Sequence, residues 1–325
     1  MKKILLSLVA IIFILISCSF FYIKHYLNSS FNKSDFVVLI NKGEGLFSII
    51  NKLEKNNVIK HKNLFKIVYL LENKNNLSVR YGDYVFEKDI KVKDVIEKLI
   101  KGKIFYHKIT FAEGLSTKSV IDKINSNDVL EGDDILEEKE GVLMPNTYFF
   151  VRGETKQGLL NRMKNDMQKA VDDLWEKRYE NIPIKTKEEA LILASIVEKE
   201  TGLAEERFLV ASVFINRLKK RMRLQTDPTI IYSFAFGDVS KERDIYKSDL
   251  KRESPYNTYL NYGLPPTPIC NPSYEALKAV LQPIETDYLY FVATGGGGHN
   301  FSKTYEKHRK FVKDYRNLLK NNEAK

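Results

Sequence analysis

Twenty consecutive uncharged residues, Ile4 to Ile23 (ILLSLVAIIFILISCSFFYI), constrain this chain more than any other feature. As a helix the run is about 30 Å long, enough to cross the hydrocarbon of a bilayer. Lys2 and Lys3 precede it, and the bias of basic residues toward the cytoplasmic side puts the N-terminus inside and the remainder outside. A cleaved signal peptide needs a shorter apolar core and an Ala-x-Ala-like site, which is missing here. A second alternative stays open, because Leu15-Ile16-Ser17-Cys18 has the form of a lipoprotein signal with Cys18 as the lipidated residue. The apolar run continues past Cys18, which suits an uncut single-pass anchor better. In either case the folded part is tethered to the membrane and faces the extracytoplasmic side.

The 325 residues leave room for a short unit and a larger one, each with its own core. The boundaries read as 1–23 for the N-terminus and anchor, 24–34 for a polar tether, 35–103 for a small α+β unit and 104–325 for the larger one. The formal charge of +10 is spread over lysines along the chain. No arginine-rich run or aromatic-interleaved basic stripe accompanies it, so it reads as solvation and not as a nucleic-acid surface. Cys18 and Cys270 stand too far apart in character to form a disulfide. The histidines at 25, 61, 107, 299 and 308 are scattered, so neither a metal site nor a cofactor is expected.

In the small unit, Phe36–Ile40 reads as a strand and Gly43-Glu44-Gly45 as a turn. Leu46, Ile49, Ile50 and Leu53 keep helical spacing, as do Leu64, Phe65, Val68 and Leu71. Residues 82–86 form a second strand, and Val92, Val95, Ile96 and Leu99 line a third helix. This strand–helix–helix–strand order, with Gly43-Glu44-Gly45-Leu46 at the first turn, resembles a LysM-like module. The resemblance implies glycan binding; the plain alternative is a spacer.

The larger unit is mainly helical. Residues 125–140 carry an acidic surface segment, a helix covers 159–179, and Thr186 with Glu189 makes a capping box for the next helix. That helix, Leu191–Glu200, is almost wholly apolar. With Glu200 at zero and 100° per residue, Leu193 lies about 20° away, Ile196 about 40° and Val197 about 60°. Glu200 therefore projects from the apolar arc, whereas Glu198 falls near 160°, beside Ser195, and is expected to reach water. Burial disfavours a charged carboxylate, and a carboxyl kept protonated near neutral pH can act as an acid. The competing reading is an exposed helix-end Glu, or one paired with Arg207 or Arg217. A second amphipathic helix spans 205–221, and Asp227-Pro228 is read as the start of another, with Asp227 as its cap. Leu289–Val292 reads as a buried strand. Gly295–Gly298 forms a flexible loop before His299, the histidine best placed for a cleft.

Several segments together resemble the endolytic murein transglycosylase (YceG-like) family. They are Ala194–Thr201 (ASIVEKET), Ala211–Leu218 (ASVFINRL), Met222–Thr229 (MRLQTDPT), Tyr256-Asn257-Thr258-Tyr259, Gly263-Leu264-Pro265-Pro266 and Tyr290-Phe291-Val292. The resemblance implies an α+β protein with an N-terminal transmembrane helix, a LysM-like subdomain and a larger, mainly helical, lysozyme-like catalytic domain. It also implies cleavage of the β-1,4 bond between N-acetylmuramic acid and N-acetylglucosamine in nascent peptidoglycan strands. The product is a 1,6-anhydro end, which limits strand elongation. On this resemblance Glu200 is catalytic. Gln225, Thr226, Asp227, Tyr256, Asn257 and Tyr259 are expected to contact sugar, with no metal, no cofactor and cell-wall synthases as further partners. Pro145-Asn146-Thr147-Tyr148 departs from the family's Pro-Asp-Thr-Tyr by losing a charge. Two rivals remain, a noncatalytic peptidoglycan-binding scaffold and a muramidase that hydrolyses the bond.

Overall fold

A computed structural model describes residues 2–323 and divides them into two compact units. The first unit takes the residues up to Lys108 together with Phe149–Glu154, and the second takes Ile109–Tyr148 and the residues from Thr155 onward. The division falls five residues beyond the one expected at 103/104, and the sequence did not single out the return of 149–154 to the first unit. Its basis is Asp83, whose buried carboxylate accepts from Arg152 Nε at 2.9 Å and lies 2.8 Å from His107 Nε2.

Helix α1 (Lys2–Asn28) contains the apolar run, with its large side chains from Ile4 to Tyr22 exposed. It is the one helix among the described residues long and apolar enough to cross a membrane. The side chains of Lys2 and Lys3, the flanking charges of the sequence reading, lie outside those described. The expected polar tether is absent, because the helix runs on to Asn28 and the following residues are built into the first unit. Tyr26 is buried there and donates to Lys60 O at 2.6 Å, and the Asn32 amide donates to Glu87 O at 2.6 Å.

The rest of the first unit follows the expected order: β1 (Phe36–Ile40), α2 (Leu46–Lys55), α3 (Lys62–Glu72), β2 (Gly82–Phe86) and α4 (Val92–Lys101). β1 and β2 pair antiparallel, with Val38 opposite Tyr84. Ile49, Leu53, Phe65, Tyr84, Phe86 and Leu99 fill the core between sheet and helices.

The second unit continues through β3 (His107–Thr110), α5 (Thr117–Asn125), β4 (Thr147–Phe150), α6 (Lys156–Glu176), α7 (Lys187–Glu200), α8 (Ala204–Lys219), α9 (Asp227–Ala235) and α10 (Tyr274–Leu281). It closes with the hairpin β5 (Tyr290–Ala293) and β6 (His299–Ser302), then α11 (Tyr305–Glu323). The β3 and β4 strands, which form a two-stranded ribbon, each straddle the division between the units. β5 is half-buried along its length and not a core strand, because the hairpin rests on the bundle's surface.

Helix α7 organises this unit. Thr186 Oγ1 accepts from Glu189 N at 3.1 Å, and Glu189 answers by accepting from Lys185 N, so the start is capped on both sides. Every residue from Ile192 to Val197 is buried, and α6, α8 and α10 pack around it. A helix apolar all round has to be central. The proline-rich segment 263–272 is stitched to it, because Ser195 Oγ accepts from Ile269 N at 2.9 Å and the Cys270 thiol meets Ser195 O at 3.3 Å. Leu193 is fully buried at the centre of this core. Leu193→Ala is expected to destabilise the second unit by about 2–5 kcal/mol. Thermal unfolding followed by calorimetry checks this, with the first unit's transition as the internal reference.

Candidate active site

Two carboxylates sit at the end of α7, and the structure gives them different fates. The sequence reading sent Glu198 toward water, but its side chain is only 5% exposed. It is buried because it is fully spoken for. Oε2 accepts from both the backbone N–H and the hydroxyl of Ser273, at the start of α10, and Oε1 lies 3.4 Å from Arg207 of α8. Glu198 therefore ties three helices together. Glu200, the last residue of α7, has no such cation bonded to it among the described residues. It accepts a short hydrogen bond from Thr226 Oγ1.

Burial is the largest influence on Glu200 and pushes its pKa up to about 7. The Thr226 hydroxyl pulls the other way, the nearby Asp227 charge raises the value further, and His299 and Arg217 lower it. The carboxyl is thus held where it exchanges a proton near neutrality. Of the two arginines considered as partners, Arg207 turns to Glu198. Arg217 acts on Glu200 only through space, because its own N–H groups donate to Leu289 O at 2.7 Å and Leu224 O at 2.8 Å.

The Thr226 hydroxyl is available because α9 begins one residue earlier than expected. Thr226 and not Asp227 is the N-cap, and Asp227 is the first helical residue. An N-cap threonine normally accepts from a backbone N–H inside its own helix. Here no such bond forms, and the side chain serves Glu200 instead. The turn is locked against the Tyr256–Tyr259 segment. Thr226 N–H donates to Thr258 Oγ1 at 3.1 Å, Gln225 N–H donates to Thr258 O at 3.1 Å, and the Thr229 and Thr258 hydroxyls pair at 2.9 Å.

Of the six residues expected to touch sugar, Thr226, Asp227 and Tyr259 converge on Glu200. The Tyr259 hydroxyl donates to Asp227 Oδ1 at 2.6 Å, and its ionisation is suppressed by burial and by the Asp227 and Glu200 charges. Gln225 adjoins them with an exposed side chain and a left-handed backbone (φ 50°). Asn257 corrects the expectation. It is 1% exposed, donates to Arg252 O at 2.7 Å and accepts from Tyr259 N at 2.9 Å, so it shapes the loop and does not present itself to a ligand. Among the described contacts Tyr256 meets Tyr232, Phe236 and Thr267, not Glu200.

Sequence reasoning missed one pair. His299 Nδ1 lies 2.6 Å from Glu206 Oε2, and His299 N–H donates to Glu206 Oε1 at 2.7 Å. This clamp fastens the β5–β6 hairpin to the first turn of α8. The signal was the glycine run before His299, since a Cβ at Gly298 would stand 2.8 Å from Glu206 Oε1. A second carboxylate is also at hand, because Asp227 is close enough to raise Glu200.

Comparison with known proteins places most of the chain beside one family. The YceG-like family model matches residues 38–314. The chain is 33% identical to the endolytic murein transglycosylase of Bacillus subtilis strain 168, over 93% of this chain and 91% of that protein. It is 27% identical to the endolytic murein transglycosylase of Streptococcus pneumoniae D39, covering 88% of this chain and 59% of that longer protein. A crystal structure of a yceG-like protein from Listeria monocytogenes matches 86% of this chain and 99% of its own, with a TM-score of 0.51 and 29% identity.

Two substitutions test the balance at Glu200. Asp227→Asn removes a like charge and should lower the Glu200 pKa, and Thr226→Val removes a bond to the charged form and should raise it; carboxyl-carbon NMR titration reads both. Stability follows by linkage. The folded state holds the Glu200 proton more tightly than the unfolded chain does, so this group's effect on stability becomes increasingly unfavourable as pH rises from about 4.5 to about 7. Glu200→Gln should therefore stabilise the second unit above pH 7, by up to roughly 3 kcal/mol, and leave it unchanged at pH 4; denaturant unfolding at the two pH values checks this.

Proposed function

The chain belongs to the YceG-like family, and on that premise we propose that it is a membrane-anchored endolytic peptidoglycan transglycosylase. It cuts the β-1,4 bond between N-acetylmuramic acid and N-acetylglucosamine and leaves 1,6-anhydro ends. The observation that carries this reading is Glu200, a carboxyl poised near neutrality on a rigid helix end and oriented by one hydroxyl.

Protonated Glu200 gives its proton to the bridging oxygen as the bond from muramic C1 to that oxygen breaks, and an oxocarbenium-like centre develops. The carboxylate so formed takes the proton of the sugar's own C6 hydroxyl, whose oxygen closes on C1. No water enters, and Glu200 ends as it began. Asp227, held by Tyr259, supplies negative charge beside Glu200 that favours the developing cation. Thr226 fixes the carboxyl's direction through both proton transfers. Activity should fall as pH rises through about 7, because the donor form of Glu200 is then lost.

Helix α1 anchors the chain, and the basic N-terminus puts the two folded units outside the cytoplasm, at the face where new glycan emerges. The β1–α2–α3–β2 order of the first unit supports a LysM-like role in holding that glycan. Cell-wall synthases are the partners this placement suits, and cleavage there limits strand length.

Asp227 also favours a second reading, in which it activates a water and the products are reducing ends. One experiment separates the two. The full chain in detergent should release fragments with anhydro ends that resist borohydride, detected by mass spectrometry. Glu200→Gln should lower the rate by at least about 100-fold with the fold intact. Borohydride-reducible ends, or undiminished release by the variant, would overturn the proposal.

A further inference from the structure

The turn before α5, Gly114-Leu115-Ser116, has no part in the mechanism, yet it lines a groove that starts beside Glu200. The groove runs along α9. Pro228, Ile231, Tyr232 and Ala235, spaced as one helical face, line a cavity of about 200 Å³ together with Leu115 and Lys199. Lys199 adjoins Glu200 in the chain and Pro228 adjoins Asp227. The cavity wall therefore begins one Cα–Cα step, about 4 Å, from each of the two carboxylate residues. From Pro228 to Ala235 it follows α9 for about 10 Å.

The walls of this groove are fixed by hydrogen bonds. Leu115 O accepts from Asn271 N–H at 2.9 Å and from the Asn271 amide at 3.0 Å. The Ser116 hydroxyl donates to Gly237 O at 2.5 Å, just past the end of α9. The approach is so close that a Cβ on Gly237 would stand 2.9 Å from Ser116 Cβ. Phe236 turns the chain into it with a left-handed backbone (φ 47°), a conformation that a non-glycine residue keeps only when its surroundings enforce it. Tyr232 is braced as well, with its ring 5.0 Å from that of Tyr256 and its hydroxyl 3.4 Å from Glu140 Oε2. Lys199 is the uncommitted group. Its stem passes beside Gly114, where an added Cβ would lie 3.6 Å from Lys199 Cδ. Among the described residues its ammonium has neither a carboxylate partner nor a hydrogen bond.

We propose that this groove is a saccharide subsite that seats an N-acetylhexosamine ring next to the bond Glu200 cleaves. The inference rests on the transglycosylase reading, which supplies the glycan. Aliphatic walls with a few polar groups suit a pyranose, which has C–H faces and a rim of hydroxyl and acetamido groups. The volume is on the scale of a single sugar ring. Ile231 and Leu115 offer apolar surface to the ring and its acetyl methyl, Lys199 donates to the acetamido oxygen, and Glu242, also in the lining, accepts from a hydroxyl. The charges of Lys199 and Glu242 offset each other, which matches a neutral sugar better than a charged peptide stem. The groove shares the last turn of α7 and the first turn of α9 with Glu200 and Asp227. A ring held there fixes the neighbouring glycosidic oxygen relative to the carboxyl.

The probe is the tetramer of β-1,4-linked N-acetylglucosamine, which has the acetamido groups and no peptide. Its binding to the full chain in detergent is measured by titration calorimetry. The wild type should bind it, and Ile231→Trp, which fills the groove, should weaken binding by at least about tenfold. Lys199→Met, an exposed substitution that keeps the stem and loses the donor, should weaken it about fivefold and decides the matter if the larger side chain unfolds the chain. On peptidoglycan strands both variants should raise KM for anhydro-end formation and leave the loss off kcat. A tetramer that does not bind the wild type, or affinities unchanged in both variants, would overturn the subsite. So would a loss confined to kcat, or a groove that takes the free stem peptide and not the tetramer. If the variants weaken tetramer binding but the wild type forms no anhydro ends, the transglycosylase reading fails and the subsite stands.

Discussion

The desolvation of the end of α7 is the constraint on which the second unit depends. An all-apolar helix has to be surrounded, so α6, α8 and α10 pack around it and leave its last turn under the α8–α9 connection. A glutamate placed there cannot be charged cheaply. Burial alone raises its pKa, and the fold answers with one hydroxyl instead of a cation. The result is a group that costs stability above neutral pH, a cost that suits a chemical role better than a structural one.

Keeping that geometry fixed requires the surrounding loops to have no freedom. Their backbone groups are taken up by buried side chains. Arg217 holds Leu224 and Leu289, Asn257 holds the 249–252 segment, Ser195 holds Ile269, and the Asn271 amide donates to Leu115 O and accepts from Leu143 N. Each replaces a ladder hydrogen bond that irregular backbone lacks. The second unit is thus a helical core whose connections are clamped from inside by polar side chains, and Glu200 sits where several of these clamps meet. A similar economy operates in the first unit, where Tyr26 and Asn32 turn the expected tether into part of the fold.

Much of this was legible in the residues. Sequence patterns located α2 to α4 and the strands β1 and β2, though not their antiparallel pairing, the capping box marked the start of α7, and the helical wheel set Glu200 apart from Glu198. The wheel failed for Glu198 because it measures one helix's own polarity, whereas the burial of Glu198 is set by Ser273 and Arg207, distant in sequence. Asn257 looked like a ligand-facing amide for the same reason, since its acceptors lie in a loop with no regular pattern. Asp83 pairing with Arg152, and Glu206 with His299, are likewise long-range events. Short-range rules set helix ends only to within a residue, and that residue decides whether the Thr226 hydroxyl caps its helix or serves Glu200.

The contrast between Glu198 and Glu200 lies in the partners the fold gives each carboxylate. Both are screened from water, both lie in the last turn of one helix, and both accept a short hydroxyl bond. Glu198 also takes a backbone N–H and faces a guanidinium. At Glu200 the influences oppose one another. Burial and Asp227 favour the neutral form, whereas Thr226, His299 and Arg217 favour the charged one. With a pKa of about 7, neither form is strongly preferred near neutral pH. A single strong pairing would end that balance, which is why His299 is turned to Glu206 and Arg217 to backbone carbonyls: each lends its field to Glu200 while its hydrogen bonds are spent elsewhere.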